Sequence, residues 1–301
     1  MPPSTIQKLA LRRVLYFLVL LVILTLTAFL VTASMRSTPL ASLLIMWTPA
    51  LAALLAGLLT RRPIRDIGWG LRPVRWLAIG WLIPVLYGSI AYGLLWITGL
   101  GGIPNPTFIE RARLTLNMPD AGTILLIAAA FGYITLVNLL PGMLMSLGEE
   151  IGWRGFLVPE LANWGGFQKA ALYSGGIWFL WHLPGILSGD YGATGTPLAF
   201  RLLCFATLVI SGGVIFAWLR IRSGSIWPAV VMHAVHNNVI QAFFDRITFD
   251  TGYTKYLAGE FGIALVLVNL VLAWLCWRQL GRQSSEVTAA PEMPSLREVD
   301  W

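Results

Sequence analysis

The sequence predicts an all-α fold: a polytopic membrane protein, a bundle of about eight transmembrane helices with both termini cytoplasmic. Three observations carry that reading. Hydrophobic residues make up 57% of the chain against 12% charged, and the mean hydropathy is +0.73, a balance foreign to water-soluble domains. The apolar residues fall in runs of roughly 20, the length that crosses a hydrocarbon core as helix. Basic residues crowd into alternate connections between those runs, the asymmetry expected of cytoplasmic loops.

In chain order the runs occupy residues 14–34, 39–60, 76–100, 122–147, 169–187, 200–219, 225–243 and 259–277. The first follows Lys8, Arg12 and Arg13 and is longer than the ~7–15 apolar residues of a signal peptide, so it reads as an uncleaved span. One side of the bundle receives those cations, then Arg61, Arg62, Arg65, Arg72 and Arg75, then Lys169, Arg220, Arg222, Arg278 and Arg282. Loops on the other side mix signs, as in Glu110, Arg111, Arg113 and Asp120. The fourth run contains Pro141, which is expected to kink it by removing a backbone hydrogen bond. No stronger breaker than glycine precedes Pro159, so the helix is expected to continue through residues 148–157.

Three regions follow from this pattern: N-terminal helices 1–3 with their loops over residues 1–121, a catalytic helical domain over 122–280, and a polar, disordered cytoplasmic tail over 281–301. No internal repeat is visible. The net charge of +7 would suit nucleic acid, but its confinement to short loops answers to membrane topology instead. The expected partners are therefore membrane lipid and a hydrophobic or lipidated peptide or protein, with no nucleic acid. The expected location is the cell membrane, specifically a bacterial cytoplasmic membrane. Cys204 and Cys276 lie in apolar runs without metal-type or disulfide spacing and read as small packed hydrophobes.

Chemistry concentrates in three polar motifs inside this apolar chain. Glu149, Glu150 and Arg154 interrupt the fourth run; ionisable residues at bilayer depth are costly and point to function. Glu150 and Arg154, four residues apart, share a helix face and pair. Glu149 is turned about 100° away and has no obligatory local partner, which suits a carboxylate that takes a proton from water. Trp178 and His182 share a face of the fifth run, and His233 and Asn237 share a face of the seventh. Polar groups aimed into one pocket can donate to a developing oxyanion, or they can bridge helices structurally. A proton-coupled transporter would also use intramembrane Glu, Arg and His, but it predicts paired repeats. A non-catalytic immunity or scaffold protein is the other competing reading.

At these residues the chain resembles the CPBP (CAAX protease and bacteriocin-processing, or Abi) family of intramembrane endopeptidases, including its Rce1-like members. The family pattern Glu-Glu-x-x-x-Arg is matched by Glu149, Glu150 and Arg154; Phe-x-x-x-His by Trp178 and His182; His-x-x-x-Asn by His233 and Asn237. Trp178 stands where the pattern has Phe, which reads as a conservative aromatic change. The resemblance implies that Glu149 and His182 activate a water, that His233 and Asn237 stabilise the oxyanion, and that Glu150, Arg154 and Trp178 hold the frame. It implies a membrane-associated substrate, prenylated CAAX-type proteins among the candidates. No cofactor is required by this scheme. Zinc is an open alternative, with His182, His233 and Glu149 as the ligands, although the sequence has no His-Glu-x-x-His signature. His236 falls outside the family pattern.

Overall fold

The computed structural model describes residues 4–35, 38–71, 74–192 and 195–289. Among these residues the protein is helical, with an isolated bridge between Gly102 and Phe249 and no strand. The first helix, α1 (Thr5–Val31), opens on a capping box in which Ser4 and Gln7 satisfy each other's backbone N–H groups. Its inner stripe is Ala10, Val14, Phe17, Leu21 and Thr25, while Leu15, Val19, Val22 and Leu26 face outward. A helix apolar on both faces has no water-facing side, as a membrane span requires.

Then come α2 (Pro39–Met46) and α3 (Thr48–Leu59), which together form one apolar span, and α4 (Arg75–Ile97). After the short α5 (Pro106–Thr115), α6 (Thr123–Gly132) runs through a π-helical turn (Tyr133–Val137) to a bend of 44°. Beyond the bend, α7 (Leu139–Glu150), a π-helical stretch (Ile151–Leu157) and α8 (Val158–Gly165) form one continuous rod. The expected helix through the glutamates is therefore present. The expected kink is present too, but it is centred on Asn138, ahead of Pro141. There the Asn138 N–H reaches back to the Tyr133 carbonyl instead of Ile134. The Asn238 side chain fills the vacancy, donating to the Ile134 carbonyl at 3.0 Å and to the Asn138 carbonyl at 3.1 Å. Pro141 sits in the first turn of α7, where its missing N–H costs nothing.

The remaining elements are α9 (Phe167–Ser188), α10 (Leu198–Ser223), α11 (Trp227–His236) with a π-helical stretch (Asn237–Phe244) leading into α12 (Asp245–Ile247), the single turn α13 (Thr254–Leu257), and α14 (Ile263–Ala289). This is an all-α polytopic membrane protein, as the sequence predicts. Five described helices are long and apolar enough to cross a membrane, or six if the bent pair is one span. The segments expected at 169–187 and 225–243 are helical but fall short of that standard. The first carries His182 in its apolar stretch; the second is broken by its π stretch and carries His233, His236, Asn237 and Asn238. Both carry polar motifs, the histidine-bearing ones. From Pro228 to Val235 every residue of α11 is buried, so protein shields this segment from lipid. Within the segment 281–301, helix α14 continues to Ala289, and residues 290–301 lie outside the described residues.

Close helix contacts rest on small residues, which let backbones approach. A Cβ on Gly80 of α4 would lie 2.4 Å from the Pro228 carbonyl oxygen of α11. One on Gly213 of α10 would lie 2.8 Å from the Cα of Gly175 in α9.

Candidate active site

The rod bearing Glu149 and Glu150 is buried by a glycine pair one turn apart. Gly148 and Gly152 lie against the backbone of Met46, Trp47 and Pro49, where an added Cβ would come within 2.7 and 2.4 Å of its nearest neighbour. That contact turns both glutamates into the bundle. The π-helical stretch after them misaligns backbone carbonyls, and two arginines take these up: Arg62 donates to the Gly155 carbonyl at 3.0 Å and Arg220 to the Arg154 carbonyl at 2.9 Å. Arg62 also pairs with Glu160 at 2.9 Å and stacks over Phe156. Both residues were read from the sequence as loop cations; Arg62 is in fact buried.

Glu150 and Arg154 pair as the spacing implied, Nη1 to Oε1 at 2.9 Å, with both side chains buried. The same Oε1 meets His233 Nδ1 at 2.8 Å. The Arg154 guanidinium packs against both Trp178 and Phe216, at 4.3 and 4.1 Å from their ring centres. Glu149, by contrast, does not lack partners. Its Oε2 accepts from Trp153 Nε1 at 3.1 Å and from Trp178 Nε1 at 2.8 Å. Trp153 was legible four residues after Glu149 and was missed. Trp178 is not a conservative stand-in for Phe, because phenylalanine has no N–H to give.

The way each histidine is tied separates their roles. His182 Nδ1 lies 2.9 Å from the Trp178 carbonyl oxygen, and His233 Nδ1 faces a carboxylate. Both partners only accept, so in each ring Nδ1 carries the hydrogen and Nε2 is left for other work. His236 has both nitrogens engaged: Nδ1 with the Tyr87 hydroxyl, and Nε2 with Glu260 Oε1 at 2.7 Å. It has nothing left to offer a substrate.

Glu149, His182, His233 and Asn237 all line one cavity of about 480 Å³. Trp178 shares its wall, whereas Glu150 and Arg154 stand behind it. The apolar lining includes Phe29, Met145, Phe205 and Met232. Polar residues absent from the sequence reading also line it, among them Tyr87, Tyr191, Gln241 and Glu260. Their only sequence signal is polarity beside apolar runs. The zinc set of His182, His233 and Glu149 is not supported by this arrangement. Among the described residues no group of three His, Cys, Asp or Glu side chains is disposed to hold a metal ion, and one Glu149 oxygen is already occupied by two indole donors.

An all-helical membrane protein enclosing a Glu/His/Asn cavity is thus the class that fold and site define. Residues 131–239, which contain all three motifs, match the model of the Rce1-like type II CAAX prenyl endopeptidases. The chain is also similar to CAAX prenyl protease 2 of Methanococcus maripaludis, 26% identical over 132 residues. That alignment takes in 41% of this chain and 48% of the relative, so the two correspond over about half the relative's length.

Proposed function

We propose that the protein is an intramembrane endopeptidase that hydrolyses a peptide bond of a membrane-associated protein or peptide, with residues 122–280 as the catalytic unit. The observation that supports this most is the convergence of Glu149, His182, His233 and Asn237 on one cavity, within the segment similar to CAAX prenyl endopeptidases. Glu149 takes a proton from a water that His182 Nε2 orients. The resulting hydroxide adds to the scissile carbonyl carbon. Asn237 donates its amide N–H to the oxyanion, and His233 does so from Nε2 when both its nitrogens carry hydrogen. The proton held by Glu149 then passes to the leaving nitrogen as the C–N bond breaks, giving one new carboxyl and one new amine. The preferred substrate is a hydrophobic or lipidated chain, prenylated CAAX-type peptides included, and the setting is a bacterial cytoplasmic membrane.

The test is hydrolysis of fluorogenic peptides, prenylated and unprenylated, by the purified protein in lipid nanodiscs. General acid–base groups contribute roughly 10²–10⁴-fold, so Glu149→Gln and His182→Ala should each lower kcat by that order. Turnover unchanged in both variants would refute the assignment.

A further inference from the structure

A polar cluster that lines the same cavity as Glu149 is tied together by one buried carboxylate, and its bonding points to a task in the reaction. Glu260, in the connection between α13 and α14, is buried and lines the cavity. Its Oε1 accepts from His236 Nε2 at 2.7 Å and from Gln241 Nε2 at 3.2 Å; its Oε2 accepts from the Tyr191 hydroxyl. A buried carboxylate is tolerated only with such donors, so the donors are committed to it and it to them. With these acceptor positions filled, Glu260 is poorly suited to be a base.

Those donors come from the two elements that carry the proposed site. His236 and Gln241 flank Asn237 along one helical rod. Tyr191 follows α9, its N–H bound to the Gly185 carbonyl at 2.9 Å, and its ring lies 5.5 Å from that of His182. Trp181 at 4.8 Å and Phe205 at 5.1 Å hold the same imidazole from other sides. Phe261, next in sequence to Glu260, stacks on Phe205 at 4.8 Å. Tyr87 of α4 steadies the arrangement from behind through His236. Glu260 and Tyr87 lie outside residues 131–239, so the family match does not reach them.

We propose that Glu260 is a positioning residue: through Tyr191 it orients His182, through His236 and Gln241 it orients Asn237, and so it fixes the spacing between the water-activating and oxyanion-binding sides. The inference rests on the endopeptidase reading. Displacing catalytic groups by about an ångström costs up to 10²-fold in rate, and that is the scale on which Glu260 acts.

Two variants test it in the full-length protein in nanodiscs. Tyr191→Phe keeps the ring and removes only its anchor; Glu260→Gln removes the charge and one acceptor. Each should lower kcat roughly 10- to 100-fold with KM within about twofold, and the double variant should lose little more than Glu260→Gln, because both act through one link. Wild-type kcat in folded Tyr191→Phe protein, or a raised KM with kcat unchanged, overturns the proposal. If Glu260→Gln fails to fold, Tyr191→Phe decides alone. A second readout needs no turnover: side-chain ¹⁵N resonances of the histidines, assigned by single His→Gln variants. Both substitutions should move the His182 signals, and unmoved His182 signals overturn the proposal. Peptide hydrolysis that ignores Glu149, or none at all, is instead a failure of the endopeptidase reading, and the His182 resonances still decide the link.

Discussion

Trp178→Phe restores the residue that the motif resemblance expects, and the structure predicts that it is harmful. The substitution removes one N–H donor at 2.8 Å from Glu149 Oε2. Donor and acceptor residues are 7% and 2% exposed, so bulk solvent is held off the bond. The proposed reaction uses Glu149 as an ionised base, and bonds to an ionised acceptor contribute ~1.5–3 kcal/mol, against ~0.5–1.5 for neutral pairs. The smaller ring also weakens the contact beneath the Arg154 guanidinium, by ~0.5–1 kcal/mol. Trp153 still holds the same oxygen, so Glu149 is not stranded and the lower half of the sum applies, ~2–3 kcal/mol. Equilibrium unfolding in mixed detergent micelles, followed by circular dichroism, measures it. Repeating the substitution in a Glu149→Gln background isolates the charged bond, because the loss should shrink by ~1 kcal/mol when the acceptor is neutral. A loss under ~0.5 kcal/mol, the level of an inert surface change, or an identical loss in both backgrounds, would refute the indole clamp.

Arg154→Met should destabilise by ~3–5 kcal/mol, the effect of removing one partner from a buried ion pair; Glu150→Gln combined with Arg154→Met should recover part of this in the same unfolding assay, since no lone charge is left. Gly152→Ala should cost ~1–3 kcal/mol by overpacking, because its Cβ would meet Pro49 at 2.4 Å, and a wild-type unfolding midpoint would contradict that contact. Asp250, exposed in the loop before α13, is held below the usual carboxylate range, chiefly by the backbone N–H of Gly252 at 2.8 Å. A depressed folded value means that its stabilisation is fully present above the unfolded value near ~3.9 and fades as pH falls through the folded one. Asp250→Ala should therefore differ from wild type in thermal midpoint at neutral pH and converge with it in acid.

Fold class and the core of the candidate site were legible in the sequence because each has a local signature. Length and apolarity mark α1, the α2–α3 pair, α4, α10 and α14, and the spacing of four residues pairs Glu150 with Arg154 wherever helix continues. Apolarity fails for α9 and α11 for the same reason that makes them informative: the polar side chains that build the cavity lower their hydropathy. The partners of Glu149 were only half legible. Trp153 is set by helical spacing, but Trp178 reaches Glu149 across 29 residues of chain, and nothing local encodes that meeting. Glu260 is harder still, since its donors come from Tyr191 after α9 and from His236 and Gln241 on the α11 rod, and only tertiary packing collects them. The bend at Asn138 shows the same division: Pro141 announces a distortion, while Asn238, a hundred positions away, makes it tolerable.

Surface turns between spans ordinarily accept insertions and deletions freely. The turn around Arg62 is an exception, because its guanidinium reaches inward to the carbonyl of Gly155 and to Glu160. One residue more or fewer there would withdraw the side chain from the rod that carries both glutamates. Evolution of that short connection is consequently tethered to the interior, and variation in its length should be sparse where variation in its exposed neighbour Arg65 is free.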